Sequence, residues 1–311
     1  FSLRRHQLNA IYRGLLNGSG IYAHEVGTGK TYTMAGLAIE SRRYGLAKKP
    51  LLLAFNANSA SVAKEINDMY PGAKVLYIDN LDRKTIQLKL NQIKTDDWDC
   101  IVMPHSLADK LSFREDTLNA MAEQQIYELE QAAIAAAKEE ENEDLTVEDM
   151  EKIRLAEGTK GEDRKKIPFI KSQTAKKLVT MRNQVINQIK QQALNSTDED
   201  AIAFEDLGID MIMVDEAHAF KKPPFTTTRN IKGLTVTTSN RSIKLSFISQ
   251  YIQSLHNGKG VHLFTGTPIT NTLTEMYHMM KYVMPNAMED AGVKDFDSWM
   301  NSCLLYTSPS P

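Results

Sequence analysis

The sequence is poor in cysteine, and it contains no apolar run long enough to cross a lipid bilayer. Its two cysteines, Cys100 and Cys303, are far apart and match neither a disulfide framework nor a metal-binding motif. These absences argue against a secreted, disulfide-stabilised protein and against a membrane partner. We therefore expect a reducing compartment, the cytoplasm, as the location of this chain.

The sequence also lacks an excess of either charge. It has 37 Lys and Arg residues against 39 Asp and Glu residues, which gives a formal net charge of −2 at pH 7. A globally basic nucleic-acid binder is thereby excluded, so a nucleic acid would have to be held by a local basic patch. The hydrophobic fraction of 42% among 311 residues is typical of a globular protein with a large core.

Apolar runs typical of buried strands alternate with helical patterns along most of the chain. PLLLAFN and IDMIMVD are two such runs, and their continuous apolar character favours strands that are covered on both faces. This alternation predicts βαβ units, a parallel sheet and an α/β fold. Ligands of such sheets bind at the carboxyl ends of the strands, where the motifs described below are located.

Residues 107–206 interrupt this alternation. They are rich in Ala, Glu, Lys and Gln and poor in β-branched residues, which predicts long polar helices, an antiparallel pair inserted into the α/β domain. A helical hairpin surrounded by solvent is one interpretation, and a dedicated binding arm is the other. The segment KKIPFIKSQTAKK has excess positive charge, which either contacts phosphates or is solvated.

The stretch AHEVGTGKT, which a helical pattern follows, has the character of a phosphate-binding loop. The strict motif G-x-x-x-x-G-K-[ST] has a glycine where this chain has His24. Gly27 and Gly29 allow the backbone to approach phosphates, whose negative charge a helix N-terminus stabilises. Lys30 supplies a cation for the β and γ phosphates, and the Thr31 hydroxyl suits Mg²⁺. A glycine turn followed by an unrelated Lys-Thr pair is the alternative.

An acidic pair follows the apolar strand in MIMVDEAHAF. Asp215 can hold Mg²⁺ through water, and Glu216 can polarise the water molecule that attacks a γ-phosphate. An acidic pair that caps a helix is the simpler alternative. The two motifs together predict a catalytic set of Lys30, Asp215 and Glu216 that acts on ATP with Mg²⁺, with Thr31 and Asp215 as the metal-binding residues.

These motifs resemble those of superfamily 2 helicases. DEAH matches motif II, and AHEVGTGKT resembles the ADEMGLGKT motif I of the Swi/Snf-like translocases, in which the first glycine is commonly absent. LFTGTPITNTLTEMYHMMKYVMP is similar to their motif III and its following helix, and LRRHQLNAIYRGLL to the glutamine-containing segment before motif I. The segment DCIVMPHSL is similar to DVVITTYSLL. The resemblance spans residues 1–106 and 207–285 and fails across the helical insertion.

The resemblance implies a RecA-like P-loop lobe formed by residues 1–106 and 207–302. It implies that Gln7 contacts the adenine, with Arg4 or Arg5 nearby, and that Glu216 is the catalytic base. The residues implied to bind the phosphates are Gly27, Thr28, Gly29, Lys30 and Thr31. Those implied to couple the nucleotide state to movement are His218, Thr265, Gly266 and Thr267.

The nucleic-acid contacts implied by the resemblance lie at the ends of other strands. His105 and Ser106, with the loop near Asn56, would face the nucleic-acid backbone. A basic cluster follows the acidic pair and either binds phosphates or is a solvated loop; its members are Lys221, Lys222, Arg229 and Lys232. We expect three aromatic residues to lie in the core rather than to stack on bases, namely Tyr22, Phe55 and Trp98.

The family hydrolyses ATP between two RecA-like lobes, and the second lobe supplies arginine fingers worth roughly three or more powers of ten in rate. The sequence begins with Phe1 and shows no second lobe after Pro285, so we expect a piece of a longer protein that is inactive alone. Residues 303–311, CLLYTSPSP, resemble translated sequencing-adaptor read-through and are predicted to be a non-native tail.

The sequence therefore predicts the N-terminal ATPase lobe of an ATP-dependent DNA translocase or helicase that moves on duplex DNA. Large helicase proteins of phages and mobile elements, often fused to methylases, are similar in style. Two alternatives remain open: an ATP-responsive scaffold that binds a partner through its helical insertion, and the motor subunit of a restriction or anti-phage system.

Overall fold

The computed structural model describes residues 2–79, 82–156, 170–196, 202–227, 238–270 and 274–305. The strands in this part of the chain are β1 (Gly20–Ala23), β2 (Pro50–Ala54), β3 (Val75–Tyr77), β4 (Cys100–Pro104), β5 (Met211–Val214) and β6 (Val261–Thr265). The helices are α1 (Arg5–Asn17), α2 (Lys30–Arg43), α3 (Ser59–Met69), α4 (Arg83–Thr95), α5 (His105–Ala108), α6 (Glu115–Glu141), α7 (Val147–Ala156), α8 (Gln173–Ser196), α9 (Asn240–Leu255), α10 (Thr274–Val283), α11 (Pro285–Asp290) and α12 (Phe296–Leu305).

The six strands form one sheet in the order β1-β6-β5-β2-β4-β3, and every neighbouring pair is parallel. Ala23 at the end of β1 pairs with Thr265 at the end of β6, and Val214 at the end of β5 pairs with Leu263. The segments that leave these three strands therefore start at one edge of the sheet. The predicted α/β fold, a RecA-like parallel sheet flanked by helices, is confirmed.

Alternation of side chains along the buried strands divides the core into two layers. Every residue of β2 is buried; Leu51 and Leu53 face one layer, whereas Leu52 and Ala54 face the other. The helices α2 and α3 cover the second layer, and α4, α9 and α10 cover the first. This two-sided cover explains why the strands read as continuous apolar runs.

Side-chain hydrogen bonds fix several element boundaries. Asp82 caps α4 by accepting from the Thr85 N–H at 3.1 Å. The Asp210 carboxylate, just before β5, accepts from the backbone N–H groups of Lys48 and Lys49 at 2.7–3.0 Å. Since these lysines immediately precede β2, the Asp210 contacts set the start of β2 against the start of β5. None of the described helices has the length and apolar character that a membrane crossing requires.

The insertion differs from its prediction in two respects. It has three described helices, α6, α7 and α8, rather than a pair, and its inner face is not solvated. Leu129 of α6 and Leu178 of α8 are at most 1% exposed and belong to the same buried cluster as Leu51 of the sheet. The interpretation as a hairpin surrounded by solvent is therefore wrong, because apolar residues along both long helices continue the core of the lobe. The predicted connection GTKGEDRKKIPF lies outside the described residues.

A buried arginine joins the three helices of the insertion. Arg182 of α8 is fully buried, and its Nη1 donates to Glu130 Oε1 of α6 at 3.1 Å and to the Met150 carbonyl oxygen of α7 at 3.1 Å. A buried charge of this kind requires its partner, since an uncompensated charge in the interior is unfavourable.

Replacement of Glu130 by leucine leaves the Arg182 guanidinium buried without its counter-charge. We expect the free energy of unfolding to fall by roughly 3–5 kcal/mol. The double variant Glu130→Leu, Arg182→Met should recover most of this loss, because no unpaired charge remains. Urea denaturation measures both effects, with the exposed Glu123→Leu on the same helix as a control that changes stability by less than about 0.5 kcal/mol. Equal losses in all three variants would contradict the assignment.

Candidate functional site

The loop between β1 and α2 is an open, glycine-shaped cradle. Gly27 and Gly29 both have φ of 82°, in the left-handed region that favours glycine. A Cβ atom added to Gly27 would meet no atom within 4 Å, whereas one added to Gly29 would lie 2.4 Å from Gln7 Nε2. Thr28 closes the turn, since its Oγ1 donates to the Glu25 carbonyl oxygen at 2.7 Å. The loop thus presents backbone at the N-terminus of α2, where an anion is stabilised.

Gln7 supports this loop from α1. Its Nε2 donates to the carbonyl oxygens of Thr28 at 3.3 Å and Gly29 at 3.1 Å, and its Oε1 accepts from the Arg4 N–H at 2.8 Å. The side chain is 4% exposed, and those of Arg4 and Arg5 are exposed beside it. Gln7 therefore holds the loop backbone in this structure, and its contact with an adenine stays a prediction.

The acidic pair at the end of β5 lies directly against the cradle. Glu216 Oε1 is 3.2 Å from Lys30 Nζ, and Glu216 Oε2 is 3.1 Å from His218 Nδ1. The Glu216 backbone has φ 47° and ψ 47°, a left-handed conformation that is strained for a residue with a side chain. The structure thus brings together the two motifs that the sequence separates by 185 residues.

Asp215 is buried beside Glu216 with an unused acceptor. Its N–H donates to the Leu53 carbonyl oxygen at 2.8 Å, and its Oδ1 finds no hydrogen-bond partner among the described residues. Burial raises the pKa of Asp215 to about 6, and the negative charge of Glu216 adds to the effect. A cation would stabilise this carboxylate, so the residue fits a metal-binding role.

The donor set fits Mg²⁺ better than a metal held by protein alone. No group of three or more His, Cys, Asp or Glu side chains suited to a metal occurs in the described part of the chain. Mg²⁺ is typically bound by one or two protein oxygens together with phosphate oxygens and water. Asp215 and the half-buried Thr31 at the start of α2 are the residues here that would supply such oxygens.

The end of β6 completes the site. Thr265 Oγ1 lies 3.4 Å from His218 Nδ1 and accepts from the Thr267 N–H at 3.1 Å. A Cβ atom on Gly266 would lie 3.7 Å from Lys30 Nζ, so this glycine is adjacent to the cradle. The four residues that the sequence predicts for coupling are thus contiguous with the acidic pair through His218.

His105 does not fit its predicted place at a nucleic-acid surface. It is 1% exposed, and its ring packs edge-on against Phe55 at 6.1 Å and Phe220 at 4.9 Å between centroids. Burial lowers the pKa of His105 to about 4, so the side chain is neutral at pH 7 and provides no cation for a phosphate. Ser106, whose N–H donates to Asn56 Oδ1 at 3.2 Å, is partly exposed, and its nucleic-acid role stays a prediction.

Lys221 is likewise misassigned as a nucleic-acid contact. Its side chain is 8% exposed, and Nζ donates to Glu275 Oε2 at 2.8 Å and to the Thr267 carbonyl oxygen at 2.7 Å. An ammonium group that is almost enclosed and already paired with a carboxylate is not available to a phosphate backbone. Lys222 is exposed, so its predicted role stands as a prediction. Arg229 and Lys232 lie outside the described residues.

The three aromatic residues divide between core and surface. Tyr22 is buried and stacks on Phe264 at 4.2 Å between centroids, as expected of a core residue. Trp98 is partly buried, and its indole N–H donates to the Gln92 carbonyl oxygen at 2.8 Å. The prediction for Phe55 is wrong, because its side chain is 46% exposed at the end of β2.

Sequence reasoning missed a row of polar residues on α10. Glu275, His278 and Tyr282 contact the segment that follows the acidic pair, through bonds to Lys221 and to the Phe220 carbonyl oxygen. Their spacing of three and four residues on one helix face was the available signal.

The fold and the site define a P-loop nucleotide-binding lobe of RecA type, with the cradle beside an acidic pair at the carboxyl edge of a parallel sheet. The family model described as "Probable helicase domain" matches residues 13–308, and the chain belongs to this family. It is a helicase-like lobe.

Individual relatives are distant. The "Defense against restriction protein B" of Escherichia phage P1 is 20% identical over 235 residues, which cover 73% of this chain. The chain spans only 9% of the length of that relative.

Two solved structures are similar to this chain, with TM-scores below 0.5. The SWI2/SNF2 ATPase core of Sulfolobus solfataricus in complex with dsDNA has a TM-score of 0.45 and 12% identity, covering 94% of this chain and 38% of that one. A hypothetical ATP-dependent RNA helicase from Sulfolobus tokodaii has a TM-score of 0.41 and 12% identity, covering 92% and 51%.

Replacement of Asp215 by asparagine removes a carboxylate whose pKa folding raises from 3.8 to about 6. The Asp215 carboxyl group binds a proton more tightly in the folded chain than in the unfolded chain. Its contribution to the free energy of unfolding is therefore most favourable below pH 3.8 and is lost as the pH rises toward 6. Above about pH 6 the lost stability amounts to ~3 kcal/mol. With a chelator present, we expect the variant to be more stable than the wild type at pH 8 and about equally stable near pH 4.

Chemical denaturation at both pH values measures this difference. The exposed Asp68→Asn serves as the matched control and should show no pH-dependent gain. An Asp215 variant that is no more stable than the wild type at pH 8 would show that the carboxylate is not under this strain.

Proposed function

We propose that this chain is the N-terminal ATPase lobe of an ATP-dependent DNA translocase or helicase that moves on duplex DNA. The observation that carries the proposal is the 3.2 Å contact between Lys30 Nζ of the phosphate cradle and Glu216 Oε1 of the acidic pair. A cation for phosphates and a carboxylate for water activation thereby meet at one point, beside the orphaned Asp215 oxygen.

The Lys30–Glu216 contact gives the two residues a linked role. A triphosphate in the cradle competes with Glu216 for the Lys30 ammonium, because the phosphates carry more negative charge. Glu216 released from Lys30 is a free carboxylate that accepts a proton from the attacking water. His218, 3.1 Å from Glu216 Oε2, orients that carboxylate. Mg²⁺, held by Asp215 and Thr31, would neutralise charge on the phosphates.

The catalytic centre of this proposal needs a second lobe. In the family that the sequence resembles, arginine fingers from a second RecA-like lobe stabilise the charge of the transferred phosphoryl group. We propose that such a lobe faces the cradle in the complete protein, and that the chain alone binds ATP weakly and hydrolyses it slowly or not at all.

Duplex DNA is the proposed track, and the cytoplasm the proposed location. Support for DNA comes from the family match, from the exposed Phe55 and Lys222, and from the partly exposed Ser106 at the carboxyl edge of the sheet. The name of the phage P1 relative, defence against restriction, favours a phage or mobile-element origin. It also keeps the motor of a restriction or anti-phage system as a second candidate.

Replacement of Glu216 by glutamine separates catalysis from binding. We expect ATP affinity to be retained or to rise a few-fold, because Lys30 loses its competing carboxylate. Hydrolysis should fall by about 10²–10⁴-fold, since an amide accepts no proton from water. Binding is measured with a fluorescent ATP analogue, and hydrolysis as phosphate release by a protein that carries this lobe together with the second lobe, with and without duplex DNA.

Lys30→Ala is the matched control, in which ATP binding itself should be lost. Wild-type turnover that duplex DNA fails to stimulate would contradict the DNA motor. If wild type and Glu216→Gln prove equally inactive while both bind ATP, the lobe acts as an ATP-responsive scaffold.

A further inference from the structure

The side chain of Lys221 joins the segment after the acidic pair to the loop after β6. Its Nζ lies 2.7 Å from the Thr267 carbonyl oxygen, 2.8 Å from Glu275 Oε2 and 3.4 Å from Thr270 Oγ1. Glu275 Oε2 also accepts from the Thr270 N–H at 2.6 Å. Three donors of one ammonium group are thus matched by three acceptors from two different elements.

The two side chains that form the ion pair at this junction are almost enclosed. The side chains of Lys221 and Glu275 are 8% and 12% exposed. Burial disfavours the charge of Glu275, but hydrogen bonds from Lys221 and Thr270 outweigh it and hold the pKa of this carboxyl below its usual value. An ion pair with this degree of burial fixes its partners in one arrangement, because losing either partner leaves an unpaired charge.

The helix α10 binds the same segment at two further points. His278 Nδ1 is 2.7 Å from the Lys221 carbonyl oxygen, and the Tyr282 hydroxyl donates to the Phe220 carbonyl oxygen at 3.1 Å. With Glu275, these residues form a stripe on one face of α10 that holds residues 220–221. The segment after the acidic pair and α10 are therefore connected by both side-chain and backbone contacts.

The junction also connects to the nucleotide side of the site. The Thr267 N–H donates to Thr265 Oγ1, which lies 3.4 Å from His218 Nδ1. His218 is in turn 3.1 Å from Glu216. A continuous series of polar contacts thus leads from the carboxylate beside Lys30 to the loop that Lys221 holds.

The neighbouring residue extends the connection to α9. The Lys222 carbonyl oxygen accepts from the Ser239 N–H at 3.2 Å and from Thr238 Oγ1 at 2.8 Å. Lys244 of α9 in turn donates through Nζ to the Leu111 carbonyl oxygen, at the base of the helical insertion. The segment 220–222 is thus bonded to the loop after β6, to α10 and to the start of α9, and α9 is in turn bonded to the base of the insertion.

We propose that Lys221 is a positioning residue that makes the loop Thr265–Thr270 and α10 respond, as one unit, to the nucleotide state sensed at Glu216. This inference rests on the proposed nucleotide site at Lys30 and Glu216. Among the described residues, the Lys221 ammonium is bonded neither to the cradle nor to the acidic pair; it acts through the Thr267 carbonyl oxygen and Glu275. When the Lys221 ammonium group is removed, the cradle still binds nucleotide, but α10 no longer responds to it.

Hydrogen exchange of the nucleotide-free chain tests the junction itself. In Lys221→Met, we expect the amides of Thr267 and Thr270 to exchange at least about tenfold faster than in the wild type. The matched control is Lys281→Met, which removes a lysine of α10 that donates to the Pro224 carbonyl oxygen and has no contact with Thr265–Thr270 among the described residues. Unchanged exchange in Lys221→Met, or an equal increase in the control, would overturn the junction.

Hydrogen exchange with saturating Mg²⁺ and a non-hydrolysable ATP analogue tests the coupling. In the wild type and in Lys281→Met, we expect protection both in residues 24–31 and in α10. In Lys221→Met, protection of residues 24–31 should persist while that of α10 disappears. Protection of α10 that persists in Lys221→Met would overturn the coupling, even though the nucleotide site stands. Absence of protection in residues 24–31 of the wild type would overturn the nucleotide site and the coupling with it.

The double variant Lys221→Met, Glu275→Met guards against misfolding. It leaves no unpaired buried charge, so it should fold with a Tm close to that of the wild type. The proposal requires this variant to lose the α10 response as Lys221→Met does, and a double variant that recovers the response would overturn it.

Discussion

The contact between the Lys30 ammonium and the Glu216 carboxylate is the constraint on which the rest of the site depends. It exists because β1 and β5 flank β6 in a parallel sheet, so that the segments leaving all three strands start at one edge. The two residues are far apart in the sequence, and the environment of each one is set by the charge of the other. Each of the two side chains supplies the counter-charge of the other, so neither charge is left unpaired at the edge of the sheet.

The sheet edge and the helical layers form one connected structure. Glu216 contacts His218, and Lys221 holds the loop after β6. The helix α10 is bonded to the backbone of Lys221, and the start of α9 is bonded to the backbone of Lys222. The insertion is part of this structure, because its apolar residues continue the core beneath the sheet. A site at the edge of such a sheet has rigid elements beneath it, and changes there act on packed helices rather than on a free loop.

Local patterns allowed the fold and the cradle to be predicted, because each depends on neighbours in the sequence. The apolar runs of β2 and β5 and the spacing of Gly27, Gly29 and Lys30 carry their own physical reasons. The predictions that failed concern residues whose environment depends on partners distant in the sequence. A run of lysines after the acidic pair indicates a basic surface unless Glu275, 54 residues later, is known to lie against Lys221. His105 was misplaced for the same reason, since its cover comes from Phe220, which is distant in the sequence.

The left-handed backbone of Glu216 has a practical consequence for engineering. Glycine adopts this conformation without the roughly 1–2 kcal/mol that a side chain costs there, but it would leave the Lys30 ammonium without its carboxylate. A directed-evolution campaign that screens this lobe only for heat tolerance or expression yield therefore sets relief of the backbone against loss of an ion pair at this one position. Sequence libraries built from this scaffold should hold that codon fixed.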